Sequence, residues 1–258
     1  MLPASAVTLT VAGTNGKGSS VTLASAIYRA AGYRVGRYTS PHLLDYNERV
    51  AIDDVPVADL ALCRAFAAIE QARAEIQLTY FEFGTLAALW LFREARVDVQ
   101  VLEVGLGGRL DAVNIVDADC AVVTNIGLDH LDWLGHDYEQ IGYEKAGIFR
   151  AARAAICVQA APPVSVVRVA AEIGAPLAVL GRDFQFQPQA DGRSWNWSDA
   201  HGKHYDALPL PGLEGRVQLD NAAGVLAAVE ALQSRVPVMS DAIRRALPQL
   251  QLRGRYER

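Results

Sequence analysis

At 258 residues, with 51% apolar and 21% charged side chains, the chain has ordinary globular composition, which excludes a disordered or collagen-like polypeptide. Its 21 glycines and 11 prolines are near average, so low complexity is excluded as well, and the length suits one large domain or two modest ones. A formal net charge of -5 argues against a nucleic-acid partner, while leaving room for a local basic pocket that receives an anionic ligand.

Cys63, Cys120 and Cys157 are odd in number and far apart. That is the pattern of small apolar core residues in a reducing compartment, not of a disulfide framework or a zinc knuckle. The longest apolar run, Phe83 to Phe92, is too short to span a bilayer, and Met1 is followed by Pro3 with no basic stretch, unlike a signal peptide. A cytoplasmic protein with no membrane partner is expected.

In chain order, Val7 to Ala12 reads as a short buried strand, followed by the Gly-rich turn Gly13 to Ser19 and a helix to about Ala31, which Gly32 stops. Val35 to Tyr38 is a second strand. Thr39 to Pro56 is polar and turn-rich, too long for a plain connector, and long irregular connections are usually functional. Helices are expected over Ala58 to Ala74 and Phe81 to Ala95, the second apolar on most of its surface. Val97 to Val104 and Ala118 to Thr124 are near-continuously apolar, as strands covered on both faces of a parallel sheet are. The alternation continues with a helix from Tyr138 to Ile148, a strand at Ala155 to Val158, a helix from Val164 to Ile173 and a strand at Pro176 to Leu180. Over 184–211, Phe184, Phe186, Trp195 and Trp197 alternate with polar residues around Asp191-Gly192, the pattern of an antiparallel hairpin at the sheet edge. Helices near Leu219 to Leu232 and Ser240 to Leu247 follow. The fold class is α/β with a mostly parallel sheet.

The strongest chemical signal is Gly13-Thr14-Asn15-Gly16-Lys17-Gly18-Ser19 between a buried strand and a helix. Glycines let backbone N–H groups turn around a phosphate, the helix N-terminus adds partial positive charge, and Lys17 adds a full one. It is not a strict Walker A motif, because Val11 takes the place of the first Gly and Gly18 separates Lys17 from Ser19. Glu103 ends an apolar strand and Asp129-His130 follows the next, positions where open parallel sheets hold ligands and where a carboxylate suits Mg2+. Each has a plainer alternative: Glu103 paired with Arg109, His130 as a hydrogen-bonded loop residue, Lys145 as a surface lysine.

The strings VAGTNGKGSS, YTSPHLLDYNERV, LTYFEFGTLAALWLF, LEVGLGGRLDAVNIVD, GLDHLDWLG and EKAGIF together resemble the folylpolyglutamate synthases, nearest to the bacterial bifunctional dihydrofolate synthase/folylpolyglutamate synthases of the Mur ligase superfamily. The similarity runs in order from about Val7 to Arg255, loosely over 184–211. It implies a P-loop NTPase-like central domain with a mostly parallel sheet, and a ligase that uses ATP to convert a carboxylate to an acyl phosphate for attack by the amine of glutamate. The implied substrates are dihydropteroate or a reduced folate, and L-glutamate. By the same resemblance Thr14, Asn15, Gly16, Lys17, Gly18 and Ser19 form the ATP phosphate loop, and Asn221 and Arg255 contact ATP. Ser40, Glu103 and His130 match Mg2+ ligands. Lys145 matches a lysine that reacts with CO2 to become an anionic N6-carboxylysine, able to hold the second of two Mg2+ ions. Lys17 and Lys145 are thus the expected catalytic residues. Thr79, Tyr80, Phe81 and Glu82, with Leu110, Asp111 and Ala112, match pterin-binding stretches, where an aromatic ring stacks on the pterin and a carboxylate accepts its N–H donors.

Two departures from the family pattern stand out. Only twelve residues precede Gly13, where relatives have some tens. Family members also continue past Arg253-Gly254-Arg255 into a second α/β domain that closes over ATP and helps hold glutamate, whereas this sequence ends at Arg258. The expectation is therefore a central domain over 1–258 with an antiparallel insertion near 184–211 and without the C-terminal glutamate-ligase domain. Nucleotide and metal binding would survive on it in weakened form. The alternative is a nucleotide-binding remnant without ligase activity; a peptidoglycan-type Mur ligase is disfavoured by the folate-type Thr79 to Phe83 and Gly105 to Asp111 segments. The family is monomeric when complete.

Overall fold

The computed structural model describes residues 6–128, 137–213 and 215–251. Strands β1 (Val7–Ala12), β5 (Val99–Glu103) and β6 (Cys120–Val123) are buried along their whole length. Their unbroken apolar runs leave no face for water, so they take the centre of the sheet. With β2 (Val35–Tyr38), β3 (Val50–Ile52), β4 (Val55–Pro56), β7 (Ala154–Cys157) and β8 (Leu177–Val179) they form an eight-stranded sheet in the order β4-β3-β2-β5-β1-β6-β7-β8. Pairing is parallel from β2 to β8 and antiparallel only where β3 and β4 fold back at one edge.

Alternate side chains divide the interior in two. Val7, Leu9 and Val11 of β1 join a core with α1 (Lys17–Ala30), α6 (Arg216–Ala231) and α7 (Ser240–Ala246). Ala12 and, on β5, Leu102 join a second core with α2 (Asp59–Arg73), α3 (Tyr80–Ala95), α4 (Tyr138–Ala146) and α5 (Val164–Ile173). Helices thus cover both faces, as the α/β class requires. Among the described residues no helix is long and apolar enough to cross a membrane.

The turn-rich segment after β2 is more ordered than its composition predicts. It holds a 3-10 turn (Tyr46–Arg49) and the two-residue hairpin of β3 and β4, whose Asp53 and Asp54 both take positive φ, 54° and 65°. Two left-handed residues give the turn whose twist matches paired strands, and Asp tolerates that region better than most residues do. The expected edge hairpin is a separate three-stranded antiparallel sheet, β11-β10-β9, of β9 (Phe184–Pro188), β10 (Ser194–Asp199) and β11 (His204–Pro209). Trp197 of β10 is buried against α6, its indole N–H donating to Ala223 O at 3.1 Å. Cys120 and Cys157 are core residues as expected, whereas Cys63 is exposed. On α2 the buried residues are Leu62, Ala65 and Ile69, spaced by three and four, so Cys63 falls off the buried stripe.

In such a sheet the strand order decides where a ligand goes. The chain leaves β1 for β2, two places to one side, while β6 lies on the other side of β1. The connections after β1, β2, β5 and β6 therefore gather at one carboxyl rim, where the crevice of a parallel sheet lies.

Candidate functional site

At that rim β1 ends at Ala12, the chain turns through Gly13 and Gly16, and α1 begins at Lys17. Gly16 has φ +85°, a conformation glycine takes without steric cost, and as N-cap it provides no capping side chain. The first turn of α1 holds no acidic residue, which leaves the positive end of the helix dipole facing the loop. Lys17 Nζ folds back over the loop, donating to Gly13 O at 2.9 Å and Thr14 O at 3.3 Å. The Ser19 hydroxyl is buried with no hydrogen-bond partner among the described residues, as are those of Ser20 and Ser25 on the same helix.

The loop is strapped from outside by the segment after β6. Thr14 N donates to Asn125 O at 2.8 Å, Asn15 N to Asn125 Oδ1 at 2.7 Å, and Thr124 Oγ1 to Asn15 O at 2.6 Å. Gly127 N donates to Thr14 Oγ1 at 2.9 Å. Sequence reasoning missed Thr124 and Asn125; the signal available was a Thr-Asn pair ending an apolar strand. Asn221, on α6, is buried and packs against Gly16, so one expected ATP contact does converge on the phosphate loop.

Glu103 ends β5 beside β1 and is 4% exposed. Its carboxylate accepts from Ser40 N at 3.1 Å and faces the first turn of α1, 3.7 and 3.9 Å from where a side chain on Gly18 would begin. A glycine at 18 keeps that space clear. Arg109, the alternative partner for Glu103, instead bridges Glu144 at 2.9 Å. Lys145 is not a surface lysine: it is 3% exposed, on α4, whose carbonyls of Glu144 and Lys145 press on Gly108 in the loop after Glu103. Carboxylate and hydroxyl oxygens from Glu103 and Ser40 are hard donors of the kind Mg2+ takes, so this pair fits a divalent cation. Among the described residues no three His, Cys, Asp or Glu cluster as a ready-made metal site. His130 and Arg255 lie outside the described residues.

The two stretches expected to bind pterin lie beside this rim, with Phe81 against Gly105 in the loop after β5. Thr79 caps α3 in a reciprocal capping box with Glu82: Thr79 N donates to Glu82 Oε2 at 2.7 Å and Glu82 N to Thr79 Oγ1 at 3.3 Å. One Glu82 oxygen is thus committed to the helix end. Phe81 covers Gly105, where any side chain would meet its ring at 2.6 Å, and Tyr80 and Leu110 are exposed. Asp111 caps the 3-10 turn Ala112–Ile115, with Oδ1 accepting from Val113 N at 3.0 Å and Oδ2 from Leu106 N at 2.9 Å. Burial pushes its carboxyl up, opposed by these backbone N–H groups, that of Gly105 and the charge of Lys17.

The profile of the Mur ligase middle domain matches residues 11–229. The chain is 50% identical over 248 residues to the dihydrofolate synthase/folylpolyglutamate synthase of Escherichia coli (strain K12), across 96% of this chain and 57% of that protein. E. coli FolC in complex with DHPP and ADP shares its fold with a TM-score of 0.93 at 49% identity, over 99% of this chain and 60% of that one. A bifunctional folylpolyglutamate synthase/dihydrofolate synthase with Mn, AMPPNP and L-glutamate bound gives a TM-score of 0.90 at 47% identity, over 98% of this chain and 60% of that one. The chain thus spans 57 to 60% of the length of these relatives.

Proposed function

The chain belongs to the Mur ligase middle-domain family, and from that premise we propose that it is the nucleotide- and metal-binding portion of a cytoplasmic dihydrofolate synthase/folylpolyglutamate synthase. The whole ligase joins L-glutamate to dihydropteroate and to the γ-carboxylate of reduced folates at the expense of ATP. The observation that carries this reading is the meeting of Lys17, Asn221 and the Ser40–Glu103 pair around the first turn of α1. Relatives that bind DHPP, ADP, AMPPNP, Mn and glutamate support it.

The difficulty in the reaction is electrostatic. A substrate carboxylate must approach a triphosphate, and two like charges at about 4 Å repel by roughly 4 kcal/mol at an effective dielectric near 20. Lys17, fixed over the loop by two carbonyls, and the N-terminus of α1 place positive charge there in advance. Thr14, Asn15, Gly16, Gly18 and Ser19 shape the cradle, and Asn221, with Arg255 by resemblance, holds the rest of the nucleotide. Ser40 and Glu103, with His130 by resemblance, would hold one Mg2+, and Lys145 as its N6-carboxylate the second. Such cations supply further neutralisation of phosphoryl oxygens. Transfer of the γ-phosphoryl group to the carboxylate gives an acyl phosphate and ADP. The glutamate amine then attacks the acyl carbon, loses a proton, and inorganic phosphate leaves. Thr79, Tyr80, Phe81 and Glu82, with Leu110, Asp111 and Ala112, orient the pterin so that its carboxylate end reaches the phosphate loop.

Titration of the chain with AMPPNP, with and without Mn2+, followed by dihydropteroate or a UDP-sugar peptide, tests the reading. Nucleotide binding strengthened by Mn2+, together with selective uptake of dihydropteroate, is expected. Preference for the UDP-sugar peptide would assign the chain to a different Mur ligase, and absence of nucleotide binding would overturn the site.

A further inference from the structure

Outside the residues assigned above, one buried cation joins two parts of the site. Arg49 ends the 3-10 turn between β2 and β3 and is 8% exposed. Its guanidinium lies beside two rings that meet edge to face 5.9 Å apart, 5.5 Å from the centre of Tyr46 and 5.4 Å from that of Tyr80. Its Nε donates to His42 Nδ1 at 2.8 Å, and its carbonyl accepts from Thr39 N at 2.9 Å. Thr39 precedes Ser40 and His42 follows it by two residues, and the Ser40 N–H is bonded to Glu103. The neighbouring Glu48 fixes the rest of this loop, accepting from Leu43 N, Leu44 N and Asp45 N at 2.8 to 3.1 Å. Tyr80, at the other end of the arrangement, opens α3 and stands 62% exposed within the pterin stretch.

A guanidinium suits this place for a definite reason. Its charge is delocalised and weakly hydrated, so it tolerates burial against two rings at once, while its N–H groups remain donors for a third partner. Each cation–ring contact contributes about 0.5 to 2 kcal/mol, more when water is excluded. An ammonium is more strongly hydrated and has no donor at the Nε position.

We propose that Arg49 is a positioning residue of the ligase site: it clamps the Ser40 loop to the Tyr80 ring, so that the cation-binding and pterin-binding halves are set as one unit. This rests on the reading of the site given under the proposed function. Arg49 is buried beneath Tyr80 and acts through His42 and Tyr80, not on the reacting groups.

The test uses Arg49→Lys and His42→Ala in the chain itself, with two probes: Mn2+ in the presence of AMPPNP, and dihydropteroate followed by its own fluorescence. Arg49→Lys should weaken both by about tenfold, the scale of weakening two cation–ring contacts and losing one hydrogen bond. AMPPNP affinity without a divalent cation should stay within about twofold, because Lys17 and Asn221 keep their contacts. His42→Ala cuts the clamp at its loop end alone, so Mn2+ affinity should fall while dihydropteroate affinity is largely kept. A merely structural role would lower the melting temperature and leave the folded protein's affinities in place. Unchanged affinity for both probes in Arg49→Lys, loss of only one, or unchanged Mn2+ affinity in His42→Ala would overturn the clamp. If the unsubstituted chain binds Mn2+ and AMPPNP and ignores dihydropteroate, the pterin reading fails; the Mn2+ measurements on the two variants then decide whether Arg49 holds the Ser40 loop.

Discussion

A carbon placed on Gly16 would lie 2.5 Å from Asn221 Oδ1 and 2.9 Å from its Nδ2, so α6 closes onto the phosphate loop with no room between them. Two residues more than two hundred positions apart thus share one wall of the proposed nucleotide site.

Gly16→Ala should therefore fail twice. The methyl group displaces the Asn221 amide, and φ of +85° disfavours any residue with a Cβ, at a cost of about 1 kcal/mol or more. AMPPNP affinity should fall by at least about tenfold, with a lower melting temperature. The double variant Gly16→Ala with Asn221→Ala relieves the clash and keeps the strain, so it should recover thermal stability in part and nucleotide affinity hardly at all. Full recovery of affinity would mean that Asn221 contributes only bulk.

Glu103→Gln keeps the shape of a 4% exposed side chain and leaves an oxygen for Ser40 N–H, while removing the charge a dication needs. Mn2+ affinity with AMPPNP present should drop by about tenfold or more, since second partners alone tune metal sites by 10- to 100-fold. Affinity for AMPPNP without the cation should be unchanged or slightly improved. An unaltered Mn2+ titration would remove Glu103 from the metal site.

Lys145 is expected to carry the carboxylate formed with CO2, and a lysine only 3% exposed is shielded from the water that would hydrolyse it. In 13C-bicarbonate the chain should show one carbamate carbon resonance that disappears in Lys145→Ala. That variant should retain AMPPNP affinity within about threefold, because Lys17 and the loop amides bind the phosphates. Equal loss of nucleotide binding would place Lys145 at the triphosphate instead.

The sheet was legible wherever burial on both faces forces an unbroken apolar run, as in β1, β5 and β6. The turn between β1 and α1 was legible too, because Gly13 and Gly16 take positive φ, which local backbone geometry favours only for glycine. Hidden features depend on tertiary context. The β3–β4 turn uses Asp53-Asp54, without the glycine that usually marks such a turn. The third strand, β11, carries two buried residues, Tyr205 and Leu208, on an otherwise polar sequence, too few to set a period. Thr124 and Asn125 act through hydrogen bonds to residues 109 to 110 positions away, and no local pattern encodes that. The folate-type stretches match by resemblance, and Thr79-x-x-Glu82 before an apolar run is also the local signature of a capping box, a signal left unused, whereas the bond from Asp111 to Leu106 N has no such local pattern.

Glu82 also gives a pH dependence. The N–H of Thr79, and then its hydroxyl, hold the Glu82 carboxyl below its usual value of 4.5. Because the folded value is depressed, the stabilisation is complete above the unfolded value and disappears as pH falls through the folded one. The melting-temperature difference between the protein and Glu82→Ala should therefore be constant from neutral pH to about pH 5 and should close on further acidification. Glu82→Gln, whose amide oxygen still accepts from Thr79 N, should show a smaller and pH-independent loss. A difference that widens in acid would contradict the capping role.

The opposite end of the sheet is held by a different carboxylate. Asp119, just before β6, accepts from Thr8 N at 3.0 Å, bridges Arg153 at 3.1 Å, and also bonds Arg235. It thereby ties β1 to the turn before β7 and to the segment between α6 and α7. Its side chain is 12% exposed, while Arg153 and Arg235 are 51% and 41% exposed, so solvent screens much of the charge attraction. Asp119→Asn leaves one acceptor for three donors and two neighbouring cations without their shared anion; a loss of about 1 to 2 kcal/mol follows, or a melting temperature lower by about 2 to 8 °C. AMPPNP and Mn2+ affinities should stay put, because the nucleotide site lies at the carboxyl rim and Asp119 at the amino rim, and distant sites act independently. A variant as stable as the parent would show that the two arginines are solvated well enough to need no partner; a variant of normal stability with weakened nucleotide binding would show that the strands transmit strain from one rim to the other.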